Sequence, residues 1–162
     1  MVKKKIFIGI HYLELGGAEI SLIGLLQALD YSKVDVDLFV YSHQGPLMKY
    51  IPQEVNLLPE IDSYSYFEKP LKSVLMNGFL RLFFARLFAK VFNLFYVHKH
   101  NLVDKEYSGL GYLGKFVSKV MPHLYSYGEY DLAISFLTPH NFVLDHVCAK
   151  RKICWIHTDY SK

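Results

Sequence analysis

Apolar and polar positions along the first 41 residues predict a strand, a helix and a second strand. Residues 6–10 form a continuous run of apolar, mostly β-branched or aromatic residues, typical of a strand buried on both faces of a parallel sheet. Residues 18–29 carry apolar side chains at helical spacing, and residues 34–41 alternate before becoming wholly apolar. This order predicts a right-handed βαβ unit.

The remainder of the chain continues the alternation of strands and helices. Further strands are predicted over residues 53–58, 130–136 and 152–156. Helices are predicted over residues 71–95, 112–125 and 141–149, the first of them weakened at Asn77–Gly78. The whole pattern predicts an α/β fold, a Rossmann-like, doubly wound domain spanning residues 1–162, with a mainly parallel sheet flanked by helices.

Composition and charge narrow the class of protein. The chain is 52% hydrophobic and 16% aromatic, which is enough for a sizeable core, and its net charge of +3 is too small to indicate a nucleic-acid partner. Cys148 and Cys154 lie in no CxxC or Cys/His ligand pattern, so we expect reduced, buried thiols. The N-terminal apolar run is too short for a signal peptide, and the expected location is cytoplasmic.

The turn between the first strand and the first helix is the candidate binding site. Gly16–Gly17 lies where open α/β sheets bind ligands, and the free N–H groups of a helix N-terminus favour an anionic ligand or a sugar oxygen. The alternative is a tight turn with no ligand. Neither the dinucleotide motif GxGxxG nor the phosphate loop GxxxxGK[ST] is present, which disfavours a dehydrogenase and a nucleotide hydrolase.

Both ends of the chain resemble a known family. Gly16-Gly17-Ala18-Glu19, together with residues 130–136 and 154–160, resembles the N-terminal domain of bacterial glycosyltransferase family 4 enzymes of the two-domain GT-B type, whereas residues 59–128 match nothing specific. The resemblance implies a retaining hexosyltransferase of cell-surface polysaccharide biosynthesis. It would use a nucleotide-sugar donor and a glycan or lipid-linked acceptor, with no cofactor and no obligatory metal.

The resemblance also implies a division of labour between two domains. In that family the N-terminal domain mainly binds the acceptor, and the C-terminal domain holds the nucleotide. We therefore expect residues 1–162 to be a fragment that lacks the donor-binding domain and is inactive alone, because closure of the two halves builds the site. A non-catalytic α/β ligand-binding or interaction module is the alternative function.

Six residues are candidates for the site through this resemblance. Gly16 and Gly17 would offer backbone donors to the donor diphosphate or sugar. Glu19 would contact substrate, or alternatively only favour the dipole of its own helix. His157 is the candidate catalytic residue, since a histidine there contacts the donor sugar in the family. Its alternative is a histidine with no role.

Thr158 and Asp159, which follow this histidine, complete the set. Both are candidate substrate-binding residues, and Asp159 would orient His157, bind an acceptor hydroxyl or cap a helix. No metal-binding residue is predicted. The six candidates come from the two ends of the chain.

Residues 71–95 are richer in phenylalanine than one packed face requires. Arg81, Arg86 and Lys90 interrupt the segment, so an interfacial helix with snorkelling cations fits better than a transmembrane helix. This predicts peripheral contact with the inner face of the membrane. The alternative is a helix packed between the sheet and a missing domain or another subunit.

Overall fold

The computed structural model describes residues 2–100 and 105–157. The strands in this part of the chain are β1 (Lys4–Ile10), β2 (Val34–Val40), β3 (Asn56–Leu57), β4 (Glu129–Tyr130), β5 (Leu132–Ser135), β6 (Cys148–Ala149) and β7 (Lys152–Cys154). Five of them form one parallel sheet in the order β3-β2-β1-β5-β7, and β4 pairs in parallel with β6.

Helices cover both faces of this sheet. They are α1 (Gly17–Ala28), α2 (Asp62–Ser65), α3 (Leu71–Met76), α4 (Leu80–His100), α5 (Lys105–Val117) and α6 (Asn141–His146), with 3₁₀ helices at Pro46–Tyr50, Ser118–Val120 and Tyr125–Tyr127. One apolar core lies between the sheet and α1, and a second lies between the sheet and α2 to α6. The fold is therefore Rossmann-like, as the sequence predicted.

β1 lies at the centre of the sheet because both of its faces are apolar. Phe7 faces the core under α2 to α6, while Ile8 and Ile10 face the core under α1. Ile8 is paired with Leu38 of β2 on one side and with Ile134 of β5 on the other. The carboxyl ends of these three neighbouring strands consequently meet at one edge of the sheet.

The single long helix predicted over residues 71–95 is wrong. α3 and α4 are separated by residues 77–79, and Gly78 has a φ of 81°, a conformation that non-glycine residues rarely adopt. α4 then continues to His100. Among residues 2–100 and 105–157, none of the helices combines the length and the hydropathy that spanning a membrane requires.

The helix predicted over residues 112–125 is also misplaced, because α5 begins at Lys105 and ends at Val117. Two of its three glycines are points of close approach to neighbouring elements. A Cβ at Gly109 would lie 3.3 Å from the side-chain nitrogen of Asn93, and one at Gly114 would lie 2.6 Å from Cβ of Pro139, whereas one at Gly111 would meet nothing within 4 Å. The packing against α4 and the loop before α6 thus leaves little room for a side chain at positions 109 and 114.

Several predicted strands are shorter in the structure. Only Asn56–Leu57 of residues 53–58 pairs as a strand, and β7 ends at Cys154 rather than at residue 156. The strand predicted over residues 130–136 is interrupted at Asp131, whose carboxylate accepts hydrogen bonds from the backbone N–H of Lys5 and from the ammonium of Lys150.

The last predicted helix and one of the thiols also differ from expectation. The helix predicted over residues 141–149 ends at His146, because Val147 is extended and leads into β6. Cys148 of that short strand is exposed, so its predicted burial is wrong, whereas Cys154 is half-buried. Both thiols are free.

Candidate functional site

The carboxyl end of β1 places His11 in a buried aromatic setting. The imidazole is 5% exposed, stacks on Tyr41 with ring centroids 4.8 Å apart, and meets the edge of Phe67 at 5.4 Å. Its Nδ1 lies 2.9 Å from Oε1 of Glu68. Because a carboxylate only accepts hydrogen bonds, Nδ1 is the donor in this contact. Nε2 of His11 is buried without a hydrogen-bond partner among the described residues.

His140 presents a second imidazole in the same way. It immediately precedes α6, and its Nδ1 lies 2.8 Å from Oγ of Ser135. Oγ of Ser135 also lies 3.3 Å from the carbonyl oxygen of Leu137; when the hydroxyl donates there, Nδ1 of His140 donates to Oγ and Nε2 holds the lone pair. Burial, and then the nearby charge of His11 when protonated, lower the pKa of His140, which favours the neutral ring.

Two further polar groups follow β2. In the described part of the chain, Oγ of Ser42 and Nε2 of His43 are buried without a hydrogen-bond partner, as are the two imidazole nitrogens of His11 and His140. Leaving such an atom unpaired costs roughly 1–3 kcal/mol, and native structures contain few of them. All four follow the carboxyl ends of β1, β2 and β5, where open α/β sheets bind ligands.

A cavity of about 290 Å³ opens beside His11. Aromatic rings and polar groups line it together, including Tyr12, Tyr41, Tyr64, Ser42, Gln44 and Glu68. Its volume lies at the lower end of the range for small-molecule sites, which commonly combine apolar walls with a few polar groups. The cavity can therefore orient a small polar ligand against the strand ends.

Acidic groups dominate the electrostatics around this cavity. Burial raises the pKa of Tyr12, and the charges of Glu68, Glu19 and Glu14 raise it further. Lys69 is a cation among the lining residues. A neutral ligand with several hydroxyl groups suits these surroundings better than a phosphate does, because the two lining carboxylates, Glu14 and Glu68, would repel the phosphate.

The glycine turn lies on the other side of the same edge. Gly16 is extended (φ −124°, ψ 163°) and precedes α1, and a Cβ there would lie 2.9 Å from Cδ of the buried Glu19. A Cβ at Gly17 would meet nothing within 4 Å, so the fold itself does not require glycine at position 17. The first carboxylate of α1 therefore lies beside its own helix N-terminus.

His157 follows β7, two strands away from β1. Its ring is exposed and packs on Phe136 with centroids 4.7 Å apart. Phe136 belongs to the core under α1, so His157 shares that face of the sheet with the glycine turn, whereas His11 packs on the opposite face. Thr158 and Asp159 lie outside the described residues.

The sequence reasoning missed His11, His140 and Glu68. A signal existed for the two histidines, because each comes shortly after an apolar run read as a strand. No local signal marks Glu68, which lies 57 residues from His11 in a segment without a clear pattern. No group of three His, Cys, Asp or Glu residues within the described ranges is arranged to hold a metal ion.

Comparison with known proteins identifies no relative. No family model matches the sequence, no curated protein matches it, and no solved structure matches the fold. The assignment of a function therefore depends on the geometry of the strand ends and on the residues that the sequence singled out.

Proposed function

We propose that this chain is the N-terminal, acceptor-side domain of a retaining glycosyltransferase of the GT-B type. The reaction would move a sugar from a nucleotide-sugar donor to a glycan or lipid-linked acceptor. The observation that carries the proposal is the cavity at the carboxyl ends of β1 and β2, where His11 and Ser42 are lining residues and each has a buried polar atom without a hydrogen-bond partner among the described residues. Imidazole nitrogens and hydroxyls pair with O–H groups, and a carbohydrate presents several hydroxyl groups side by side.

The walls of the cavity support a carbohydrate as the ligand. Tyr12, Tyr41 and Tyr64 line it, and aromatic rings can pack against the C–H face of a sugar while polar groups take its hydroxyls. The carboxylates of Glu14 and Glu68, which line the cavity, disfavour a phosphate there. In this proposal His11 and Ser42 hold the acceptor, and the diphosphate of the donor lies elsewhere.

The donor would approach from the α1 face of the sheet. There the backbone N–H groups of Gly16–Gly17 and the exposed imidazole of His157 would face the sugar of the donor, with Thr158 and Asp159 as further contacts. The Glu19 carboxylate beside Gly16 disfavours the diphosphate at the turn itself. A second α/β domain would hold the nucleotide, and closure of the two domains would exclude water from the reacting atoms. The chain alone would bind an acceptor without transferring a sugar.

The binding half of the proposal is testable on this chain. Saturation-transfer NMR with a panel of neutral mono- and oligosaccharides should detect at least one ligand. His11→Phe should lose it, because phenylalanine fills the volume but has no lone pair on a ring nitrogen. The matched control is His98→Phe, at an exposed position on α4, and it should bind the saccharide as the wild type does. Absence of any saccharide signal would contradict the acceptor site.

The transfer half is tested on the full-length protein with a panel of nucleotide-sugar donors and the saccharides found to bind. Transfer should occur, and it should be lost in both His157→Ala and His11→Phe while circular dichroism stays unchanged. Saccharide binding without transfer from any donor would overturn the glycosyltransferase and support a non-catalytic binding module.

A further inference from the structure

The outer face of α4 is apolar along most of its length. Seven of its side chains are each at least 37% exposed and fall within an arc of about 120° at 100° per residue: Leu80, Phe84, Leu87, Phe88, Val91, Leu94 and Phe95. We call these seven residues the outer stripe. The opposite side of the helix, with Leu82, Ala85 and Ala89, is buried. α4 thus has two apolar faces, of which the protein covers one.

Cations border the outer stripe on both sides. On the helical projection Lys90 flanks one edge, and Arg81 and Lys99 flank the other, with the half-exposed Phe92 just beyond them. All three cations are exposed. No Asp or Glu occurs in residues 71–100, so the formal charges of α3 and α4 are all positive, which complements an anionic surface.

We propose that the outer stripe of α4 binds the surface of a membrane that contains anionic lipids. An apolar face bordered by cations is the arrangement of helices that lie in the interface, with long basic side chains reaching back to the headgroups. The 21 residues of α4 extend over about 31 Å, so the whole stripe can lie along the bilayer plane. Two phenylalanines, Phe88 and Phe95, are its most exposed aromatic side chains.

A second copy of this chain fits the stripe less well. In a two-fold pairing of α4 with α4, the cations at positions 81, 90 and 99 of one copy would lie near the cations of the other, and neither α3 nor α4 supplies a carboxylate to offset them. Lipid phosphates neutralise the same cations. This membrane contact goes beyond the proposed function and does not depend on it.

The buried side of α4 connects this surface to the candidate site. Arg86 donates hydrogen bonds to the carbonyl oxygens of Tyr66 and Lys69, on either side of the residues that contact His11. The cavity thus lies next to the helix that would rest on the membrane. If the proposed function also holds, the acceptor that enters the cavity would be a lipid-linked one.

Vesicle flotation of the purified 162-residue chain tests the proposal. With about 30% phosphatidylglycerol in phosphatidylcholine, the chain should float, and its partition onto pure phosphatidylcholine should be at least roughly tenfold weaker. Raising the salt from about 0.1 M to about 1 M should reduce the floating fraction, because the Debye length shortens from about 10 Å to about 3 Å. Equal failure to float with both vesicles would overturn the proposal.

Matched variants test whether binding depends on the outer stripe or on exposed apolar residues in general. Phe88→Glu with Phe95→Glu should abolish flotation, whereas Tyr50→Glu with Leu144→Glu, which changes exposed apolar residues elsewhere, should leave it intact. All four side chains are exposed, so near-ultraviolet circular dichroism should report an unchanged fold. Equal loss in both double variants would overturn the assignment of the membrane surface to the stripe.

The cations are tested in the same way. Arg81→Gln with Lys90→Gln should weaken binding to the anionic vesicles roughly tenfold or more, and Lys49→Gln with Lys119→Gln, which removes the same charge from other exposed positions, should have a smaller effect. Sedimentation of the chain without vesicles completes the experiment. If the chain forms a dimer that Phe88→Glu dissociates, the outer stripe binds a second copy rather than a membrane, and the proposal is overturned.

Discussion

Nδ1 of His11 lies 2.9 Å from Oε1 of Glu68, and this contact joins the end of β1 to the loop before α3. The loop is itself held from the other side, because the guanidinium of Arg86 donates to the carbonyl oxygens of Tyr66 and Lys69. Burial lowers the pKa of Arg86, while the charge of Glu68 acts in the opposite direction. α4 therefore positions Glu68, and Glu68 orients the imidazole in the cavity.

Removing the carboxylate of Glu68 should destabilise the protein through His11. Glu68→Ala leaves both ring nitrogens of a buried imidazole without a protein partner, so we expect the free energy of unfolding to fall by roughly 1–3 kcal/mol. Glu68→Gln keeps an oxygen acceptor for Nδ1 and should cost less than about 1 kcal/mol. Urea denaturation at neutral pH measures both values.

The exposed Glu54 supplies the control for this comparison. Glu54→Ala removes a carboxylate of the same kind without exposing a buried donor, and it should change stability by less than about 0.5 kcal/mol. Equal effects of the alanine substitutions at positions 54 and 68 would show that the contact with His11 does not stabilise the fold.

Stability should fall on acidification through His140. Its folded pKa lies below the ordinary value of 6.5, so below that pH the unfolded chain binds a proton that the folded chain excludes. The stabilising contribution is fully present above pH 6.5 and is lost as the pH falls toward the folded pKa. His146 acts in the same direction, since burial, and then the charge of His123, lower its pKa.

Urea denaturation at about pH 7.5 and about pH 5.5 measures this dependence. His140→Gln should lose less stability between the two values than the wild type does, because the group that excludes the proton is gone. His98→Gln, at an exposed position on α4, is the control. If both variants changed the pH dependence of stability equally, His140 would not be its cause.

Gly45 should tolerate no side chain. Its φ is 107°, and a Cβ would lie 2.7 Å from the backbone nitrogen of Glu14 and closer still to the carbonyl of Leu13. Backbone hydrogen bonds from Leu13 to Gln44 and from Leu47 to Leu13 keep the two loops together. We expect Gly45→Ala to cost at least about 1–3 kcal/mol, because the conformation is nearly exclusive to glycine.

Gly24→Ala is the matched control for this substitution. Gly24 lies inside α1, where a Cβ would meet nothing within 4 Å, so alanine should stabilise the helix by up to about 1 kcal/mol. On this account the melting temperature should fall in Gly45→Ala and rise in Gly24→Ala, which thermal unfolding measures. A shift in the same direction for both would contradict it.

The first βαβ unit could be predicted because its signals are local. The apolar run of residues 6–10, the helical spacing that became α1 and the alternation that became β2 each lie within a dozen residues, and the structure confirms all three. The sequence marked Asn77–Gly78 as a weak point, but the end of α3 there depends on the backbone conformation of Gly78, and the close packing at Gly109 and Gly114 depends on the elements beside α5. Periodicity contains neither piece of information.

The candidate site could likewise be predicted only where its signals are local. Gly16–Gly17 stands out in the sequence because glycine pairs after a strand are visible there. The orientation of His11 depends on Tyr41 and Glu68, which lie 30 and 57 residues away. Tyr41 meets it through the pairing of β2 with β1, and Glu68 through the path of the chain between β3 and α3. Local patterns could therefore mark the edge of the sheet but not the buried imidazoles on it.

Gly17 offers a way to separate the ligand from the fold. A Cβ at this position meets nothing within 4 Å, and alanine is the better helix residue, so Gly17→Ala should fold at least as stably as the wild type. A loss of donor-dependent transfer in the full-length Gly17→Ala protein would then report contact with the ligand. Unchanged kcat/KM would show that the backbone of Gly17 is not approached closely.

Gly16 should instead be coupled to Glu19. Alanine at position 16 would displace the Glu19 carboxylate from beside the helix N-terminus, where such a charge stabilises by about 0.3–1 kcal/mol. In the Glu19→Ala background nothing has to move, so the double variant should be destabilised by less than the sum of the single variants, with a coupling of at least about 0.5 kcal/mol. Urea denaturation of the four proteins gives this coupling. If the effects of the two single substitutions added to within about 0.3 kcal/mol, the Glu19 carboxylate would not interact with the turn at Gly16. The N–H groups of the helix N-terminus would then be available to an external anion.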